Sequence, residues 1–354
     1  MQKIISIAIS GVGNRALPKN QNKTNWIGWI NQIRKSNKFN LVAAHDISMK
    51  PLNKLVEKKF LKPNKIYTNF NKMLENEKLD AILISNPVKF HYHYIKKSLE
   101  KKLYILVEKP FVSNLKEAQA LLKQKNSKNI SVVQNWRTKD SSRILRNFIK
   151  SGKAGKIGQI FFRYIRNREN PNYPKYLFKE DFPALYAMGI HHLDLFRYLL
   201  NDEIKIVSGR FFKPYWSLYS SSTGVNLTLI TKKKTIITYT STLSSLSKIS
   251  SQESCIINGS KGSIFNESDW FEPHLIFKKK ESNKKQKLTA KVKKISTYDQ
   301  YNISDLFILN NLYDFIVKKR KPICSARDAF NTIKLLHYCK KACIQKKEIK
   351  VPIK

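Results

Sequence analysis

The amino-acid sequence predicts an α/β protein in two parts. A doubly wound parallel sheet is expected over residues 1–136, and an α/β domain with a large, mostly antiparallel open sheet over 137–354. Three observations support this. Through the first third of the chain, short apolar runs alternate with helix-spaced segments, the pattern of a parallel sheet wound by helices. A glycine turn follows the first apolar run without a break, as in sheets that bind nucleotides at their carboxyl edge. Beyond residue 136 the runs become rich in Ser and Thr and alternate every second residue, which suits half-exposed antiparallel strands.

The elements follow in order. Residues 4–10 form a compact apolar run, expected as a buried strand. Trp26, Trp29, Ile30 and Ile33 recur at helical spacing, and 40–44 reads as a second strand ending at His45 and Asp46. Helices are expected over 51–60, 93–101 and 115–125, with strands over 79–84, 103–107 and 130–134. Next come a helix over 141–151, stopped by Gly152 and Gly155, and a strand over 159–168. A loop bearing Pro171, Pro174 and Pro183 leads into an apolar helix over 185–200. Strands fill 204–277, a Lys-rich hairpin or loop is expected at 278–294, and amphipathic helices cover 304–319 and 325–345.

Charge narrows the function classes. Lys plus Arg number 67 against 25 Asp plus Glu, a formal net charge of +42. Such a balance suits a binder of polyanions. Yet 55 of these residues are Lys and 12 are Arg, they are scattered along the chain, and Asn and Ile are abundant as well. Those three residue types share AT-rich codons, whereas nucleic-acid readers lean on the bidentate fork of Arg. A solvated Lys-rich surface is therefore expected, without nucleic acid as the partner. Hydrophobic residues at 42% exclude a disordered basic tail. No run is long enough to span a bilayer, and no signal-peptide pattern precedes the first strand, so a cytoplasmic protein is expected. The four cysteines are too few for a disulfide framework. His337, Cys339 and Cys343 share part of a helix face, where small packed thiols are expected rather than a metal site.

Four constellations carry chemistry. Gly11-Val12-Gly13-Asn14-Arg15-Ala16 fits the G-x-G-x-x-G/A turn, whose glycines let the backbone approach a pyrophosphate. Asp46, at the end of the second strand, is placed to accept hydrogen bonds from both ribose hydroxyls of NAD and to repel the extra phosphate of NADP. The interval from the turn exceeds the usual one of about 20 residues, and 17–24 reads as an insertion. Against this stands a plain turn role for Asp46. Ser85-Asn86-Pro87 with His91, and Glu108-Lys109-Pro110, close two further strands at the same edge. A lysine there lies near a nicotinamide and polarises a substrate oxygen, and Pro110 suits a cis bond. In Gly189-Ile190-His191-His192-Leu193-Asp194, His191 is placed to take a hydroxyl proton, a task suited to a neutral imidazole. A histidine pair on a helix is otherwise a structural feature. Arg166, Arg168 and Tyr173, near the proline-bearing loop, are candidates to grip substrate hydroxyls or a carboxylate, with surface positions as the plain alternative.

Together these motifs resemble the glucose-fructose oxidoreductase, inositol dehydrogenase and rhizopine-catabolism (Gfo/Idh/MocA) family over nearly the whole chain. The resemblance implies a Rossmann domain followed by an α/β domain whose open sheet forms a homodimer or homotetramer. It also implies NAD(P)-dependent oxidation or reduction of a carbon of a sugar or cyclitol. Lys109 matches the family's catalytic lysine and His191 its histidine. Cofactor contacts fall on Gly11–Arg15, Asp46, Ser85–Pro87, His91, Glu108 and Lys109, with His192 and Asp194 beside the substrate. Two positions depart from the pattern. Ala187 stands where a catalytic Asp is expected, with Asp181 or Asp194 as substitutes, and Val88 replaces a common Asn. Ala187 opens an alternative, a cofactor-binding sensor without turnover. A third reading is anionic-surface binding through the Lys-rich 278–294 segment.

Overall fold

The computed structural model describes residues 3–18, 25–172, 175–246, 253–266, 270, 275–282, 284–288 and 297–352. It divides into two compact units, Met1–Thr138 with Ser296–Ile333, and Lys139–Ile295 with Lys334–Lys354.

The first unit runs β1 (Ile5–Ser10), α1 (Gly28–Lys35), β2 (Phe39–His45), α2 (Met49–Glu57), β3 (Ile66–Tyr67), α3 (Phe70–Asn76), β4 (Ala81–Ile84), α4 (His91–Glu100), β5 (Tyr104–Val107), α5 (Leu115–Leu122) and β6 (Ile130–Val132). The strands pair in parallel in the order β3-β2-β1-β4-β5-β6. The order reverses between β1 and β4, which opens a crevice at their carboxyl ends. Every residue of β4 is buried, as a strand covered on both faces requires.

The second unit contains α6 (Asp140–Lys150), β7 (Ile157–Ile165), α7 (Ile190–Leu200), β8 (Ile204–Phe212), β9 (Gly224–Thr231), β10 (Ile236–Thr242), β11 (Glu253–Gly259), β12 (Gly262–Asn266), β13 (Leu275–Lys279) and β14 (Lys285–Lys287). The chain continues through α8 (Thr297–Val317), α9 (Ala326–Gln345) and β15 (Ile349–Lys350). The nine strands order as β14-β13-β12-β11-β7-β10-β9-β8-β15, and among the described residues only β7 and β10 pair in parallel. Alternation along β7 buries Ile160, Phe162 and Tyr164 and exposes Phe161. The inner face packs on α7 through Phe162 against Phe196 and His192.

The single boundary expected after residue 136 needs correction. The chain leaves the first unit at Thr138 but returns to it for Ser296–Ile333. Ile308, Leu309, Leu312, Tyr313 and Ile316 of α8 join the core of α1, α2 and one face of the parallel sheet. Cys324, Ala326, Ala329, Phe330 and Ile333 join the core on the other face. Local periodicity marks these stretches as helices but carries no information on which sheet they cover. The Lys-rich hairpin expected at 278–294 matches the turn between β13 and β14, and 283 and 289–294 lie outside the described residues. Cys339 and Cys343 are buried while His337 faces outward, so the three do not share a face.

Candidate active site

The glycine turn and its insertion explain each other. Ala16 and Leu17 N–H groups donate to the Gly13 carbonyl at 3.0 and 2.9 Å, forming one tight turn. Trp29 and Ile30 N–H groups donate back to Arg15 and Ala16 carbonyls at 3.3 and 3.1 Å. Those bonds set the turn at 13–17 against the first turn of α1, while 19–24 lie outside the described residues. Gly28, at φ +73°, stands where a Cβ would be 2.5 Å from Pro18 and 2.7 Å from the Ala16 carbonyl. The residues between the turn and α1 are why Asp46 follows the glycine turn at an unusual interval.

Asp46 stands at the end of β2 as expected. One carboxylate oxygen accepts from Val12 N–H at 2.8 Å and the other from Ser48 N–H at 3.0 Å. The N–H of Val12 therefore serves to hold the acid beside the turn. Gly11, at φ +89°, lies so close to the end of β4 that a Cβ would be 2.6 Å from Asn86 N. Gly13 is exposed, and a Cβ there would meet nothing within 4 Å. The residues fit a dinucleotide on this observation: backbone, with no side chain over it, faces open space at the carboxyl edge of β1.

Behind the turn, buried polar groups tie the strand ends together. Ser10 Oγ lies 2.8 Å from His45 Nδ1. The Asn86 amide, with its nitrogen toward Ser10, donates to Ser10 O and Oγ at 2.9 and 2.7 Å and accepts from Gly11 N–H at 3.2 Å. Ser85 Oγ donates to Gly11 O at 2.7 Å. His91 is buried with Nε2 2.8 Å from Asn86 O and Nδ1 2.9 Å from Pro110 O. It links the loops after β4 and β5 and offers no ring nitrogen to a cofactor. Burial pushes its imidazole down, against the pull of those carbonyls.

Burial likewise pushes the His45 imidazole down to about 4, with Asp46 opposing. A histidine with a folded value below its unfolded value of about 6.5 stabilises the fold above that value. The contribution is lost as pH falls through the folded value. The urea midpoint is expected to fall between the unfolded and folded values, and His45→Asn is expected to flatten part of that slope. An identical slope in the variant would place the acid sensitivity elsewhere.

Arg15 has a different role from the one its motif position suggests. Its guanidinium bonds Glu108 Oε1 at 2.5 Å and both Asp305 oxygens at 2.8 and 2.6 Å, and lies over the Trp26 and Trp29 rings. Trp29 Nε1 also donates to Glu108 at 2.8 Å. Burial pushes the Glu108 carboxyl up, but Arg15 and the Trp29 N–H outweigh it and hold the group below its ordinary value. Burial pushes the Asp305 carboxyl up, against the pull of Arg15. A bidentate Arg between two carboxylates is a strong, directional clamp. Here it fixes the peptide before Lys109, which is half-buried and followed by a cis bond to Pro110. The partner Asp305 lies in a C-terminal helix, and no local sequence signal points to it. Past β6, Gln134 Oε1 and Asn135 Oδ1 are buried acceptors with no hydrogen bond among the described residues. Buried polar atoms of that kind call for a donor, and they too escaped the sequence reading.

In the second unit, His191 lies in the first turn of α7, directly after a π-helical turn, Ala184–Gly189. Such turns are frequent at functional sites. Ala187 sits within it. The other expected substrate contacts need correction. His192 is fully buried, with Nδ1 2.8 Å from Tyr239 Oη, and burial holds its imidazole well below the ordinary value. Asp194 is buried 3.6 Å from Arg197. Arg166 pairs with the buried Glu253 and lies over Tyr164. His192 and Asp194 are buried, and the part-buried Arg166 is held by Glu253. Asp181 is exposed. Arg168 differs: half-buried, it contacts Met188 Sδ at 3.5 Å, beside the turn carrying Ala187. Tyr173 lies outside the described residues.

Two family descriptions match the chain: "Oxidoreductase family, NAD-binding Rossmann fold" over residues 6–135 and "Oxidoreductase family, C-terminal alpha/beta domain" over 146–353. The chain belongs to the Gfo/Idh/MocA oxidoreductase family. Residues 6–135 are thus its NAD-binding Rossmann domain. Similar solved structures include an oxidoreductase from Agrobacterium radiobacter in complex with NAD+, L-tartaric acid and magnesium, with TM-score 0.83 and 15% identity, covering 98% of each chain. An inositol dehydrogenase homolog complexed with NAD+ from Azotobacter vinelandii gives TM-score 0.80 and 15% identity, over 98% of this chain and 97% of that one. At such identities the likeness shows the fold. The inositol 2-dehydrogenase of Salmonella typhimurium is 25% identical over 146 residues, 40% of this chain and 42% of that protein. The matched stretch spans half or less of the curated relatives' length. These relatives are named as oxidoreductases and dehydrogenases, which lends nothing to the sensor reading. No helix of the described residues is long and apolar enough to cross a membrane.

Proposed function

We propose that this protein is an NAD-dependent oxidoreductase that moves a hydride between nicotinamide and a carbon of a sugar, cyclitol or sugar derivative. The observation that carries it is the carboxyl edge of the six-stranded sheet. There the open glycine turn, Asp46 and the clamped Glu108-Lys109-Pro110 loop belong to one polar network. Bound nicotinamide would supply the hydride acceptor. Lys109 stabilises negative charge developing on the substrate oxygen. His191 takes the hydroxyl proton, a task suited to an imidazole. Glu108 and Arg15 hold the backbone that carries Lys109. Arg168 places a cation beside a position with no carboxylate, which favours a substrate bearing an acidic group. The exposed face of the second sheet, with Phe161, Ile236 and Ile256, is the proposed self-association surface.

Asp46 supports NAD over NADP, because its carboxylate would meet the phosphate of NADP. Asp46→Ser is expected to narrow the NAD-over-NADP preference by about tenfold or more, since repulsion and lost ribose bonds together exceed roughly 1.4 kcal/mol. Calorimetric titration with both reduced cofactors checks it. An unchanged ratio would remove Asp46 from cofactor selection. The activity itself is tested by supplying NAD+ with polyols, cyclitols and sugar acids and following formation of the reduced cofactor.

A further inference from the structure

We infer that the second unit carries a separate binding site for an organic phosphate, a small anion with two or more charges on a partly apolar body. The site is a cavity of about 740 Å3 among the ends of α6 and α7, the start of β7 and the turn between β9 and β10. That volume lies within the range of small-molecule pockets, roughly 300–1,000 Å3. Its walls carry Arg146, Lys150, Lys156, Lys232, Lys233 and Lys234, and no acidic side chain. Six of the 13 lining residues are basic, against 67 in 354 over the whole sequence. The cavity is thus enriched beyond the diffuse charge of the chain. Ile149, Ile157, Leu199 and Leu200 form an apolar floor, in which Ile157 and Leu199 are buried.

Two bland explanations fall short in magnitude. Both helices end here, and cations complement helix carboxyl termini, but each terminus amounts to about half a negative charge. Asp202, which accepts from Lys233 N–H at 2.9 Å, adds one more. Roughly two negative charges therefore face six positive ones. The five lysines have no carboxylate partner among the described residues, while Arg146 is fixed by the Tyr198 carbonyl and ring. The five lysines are exposed, so water and salt screen much of their repulsion, and an anion seated among them would relieve the rest. The cavity does not belong to the site at His191. That residue lies near the start of α7, whereas Leu199 and Leu200 lie at its end, about 12–14 Å away at 1.5 Å per residue.

The test titrates the full chain, saturated with NADH to fill the dinucleotide site, with inorganic tripolyphosphate and with 1-naphthyl phosphate. Both are expected to bind saturably, and K232S/K233S/K234S is expected to weaken both at least tenfold. K150Q/K156Q provides a second pair should the turn variant fold poorly. K279Q/K284Q/K287Q, which removes three charges from the β13–β14 hairpin, is expected to leave affinity unchanged. Equal weakening by the hairpin variant, absence of saturable binding, or binding only to a DNA duplex would overturn the inference.

Discussion

Replacing Lys109 by Ala is expected to lower kcat/KM by about 10^3-fold, roughly 4 kcal/mol of transition-state stabilisation. The size follows from where the side chain starts. Its backbone is held by the Glu108 carboxylate, itself held by Arg15 and Trp29, so the ammonium is delivered from a rigid base. A charge donor that needs no reorganisation in the transition state contributes most. Lys109→Arg is expected to remain strongly impaired, because the planar fork does not reproduce a compact point charge. NADH affinity is expected to change little, since the glycine turn and Asp46 are untouched. Steady-state rates and NADH fluorescence titration separate the two. A variant that lost NADH binding and turnover together would make Lys109 a cofactor contact rather than a catalytic group.

The two glycines of the turn are expected to fail in different ways, and the contrast is the second large effect. Gly11→Ala forces a side chain into φ +89° and places its Cβ 2.6 Å from Asn86 N and 2.7 Å from Ser85 C. The backbone conformation alone costs about 1–2 kcal/mol, and the neighbours are main chain that cannot turn aside. Melting temperature and NADH affinity should both drop, the latter by tenfold or more. Gly13→Ala meets no protein atom within 4 Å. Its stability is expected to stay within about 0.5 kcal/mol of the parent. The new methyl stands where a pyrophosphate would approach, so NADH affinity should still fall about tenfold. Thermal unfolding and calorimetry on the same samples distinguish them. A Gly13→Ala protein that binds NADH normally would place the phosphates elsewhere.

What the sequence made legible was local. The alternation of apolar runs and helices marks the parallel sheet, and the glycine turn, Asp46 and Glu108-Lys109-Pro110 fall at strand ends. The misses share one cause: they depend on residues far apart in the chain. Asp305 reaches Arg15 across 290 positions, so the motif alone made Arg15 a cofactor contact. His91 looked like a ligand because of its motif, but it bridges two backbone loops. His192 carries the same polar identity as His191, yet it packs on Phe162, Tyr164 and Tyr239 of the second sheet. The return of α8 to the first unit is set by which apolar surface remains uncovered, which no periodicity encodes. The cationic cavity was hidden for the opposite reason. Against +42 overall, its six cations are invisible until the fold assembles them from three segments.

The most direct measurement is turnover by the purified protein supplied with NAD+ and, one at a time, polyols, cyclitols and sugar acids, read as absorbance of the reduced nicotinamide. At least one of these classes is expected to give saturable reduction that Lys109→Ala and His191→Ala each lower by orders of magnitude. Normal NADH binding with no turnover of any compound, or turnover unchanged in Lys109→Ala, would contradict the proposed activity.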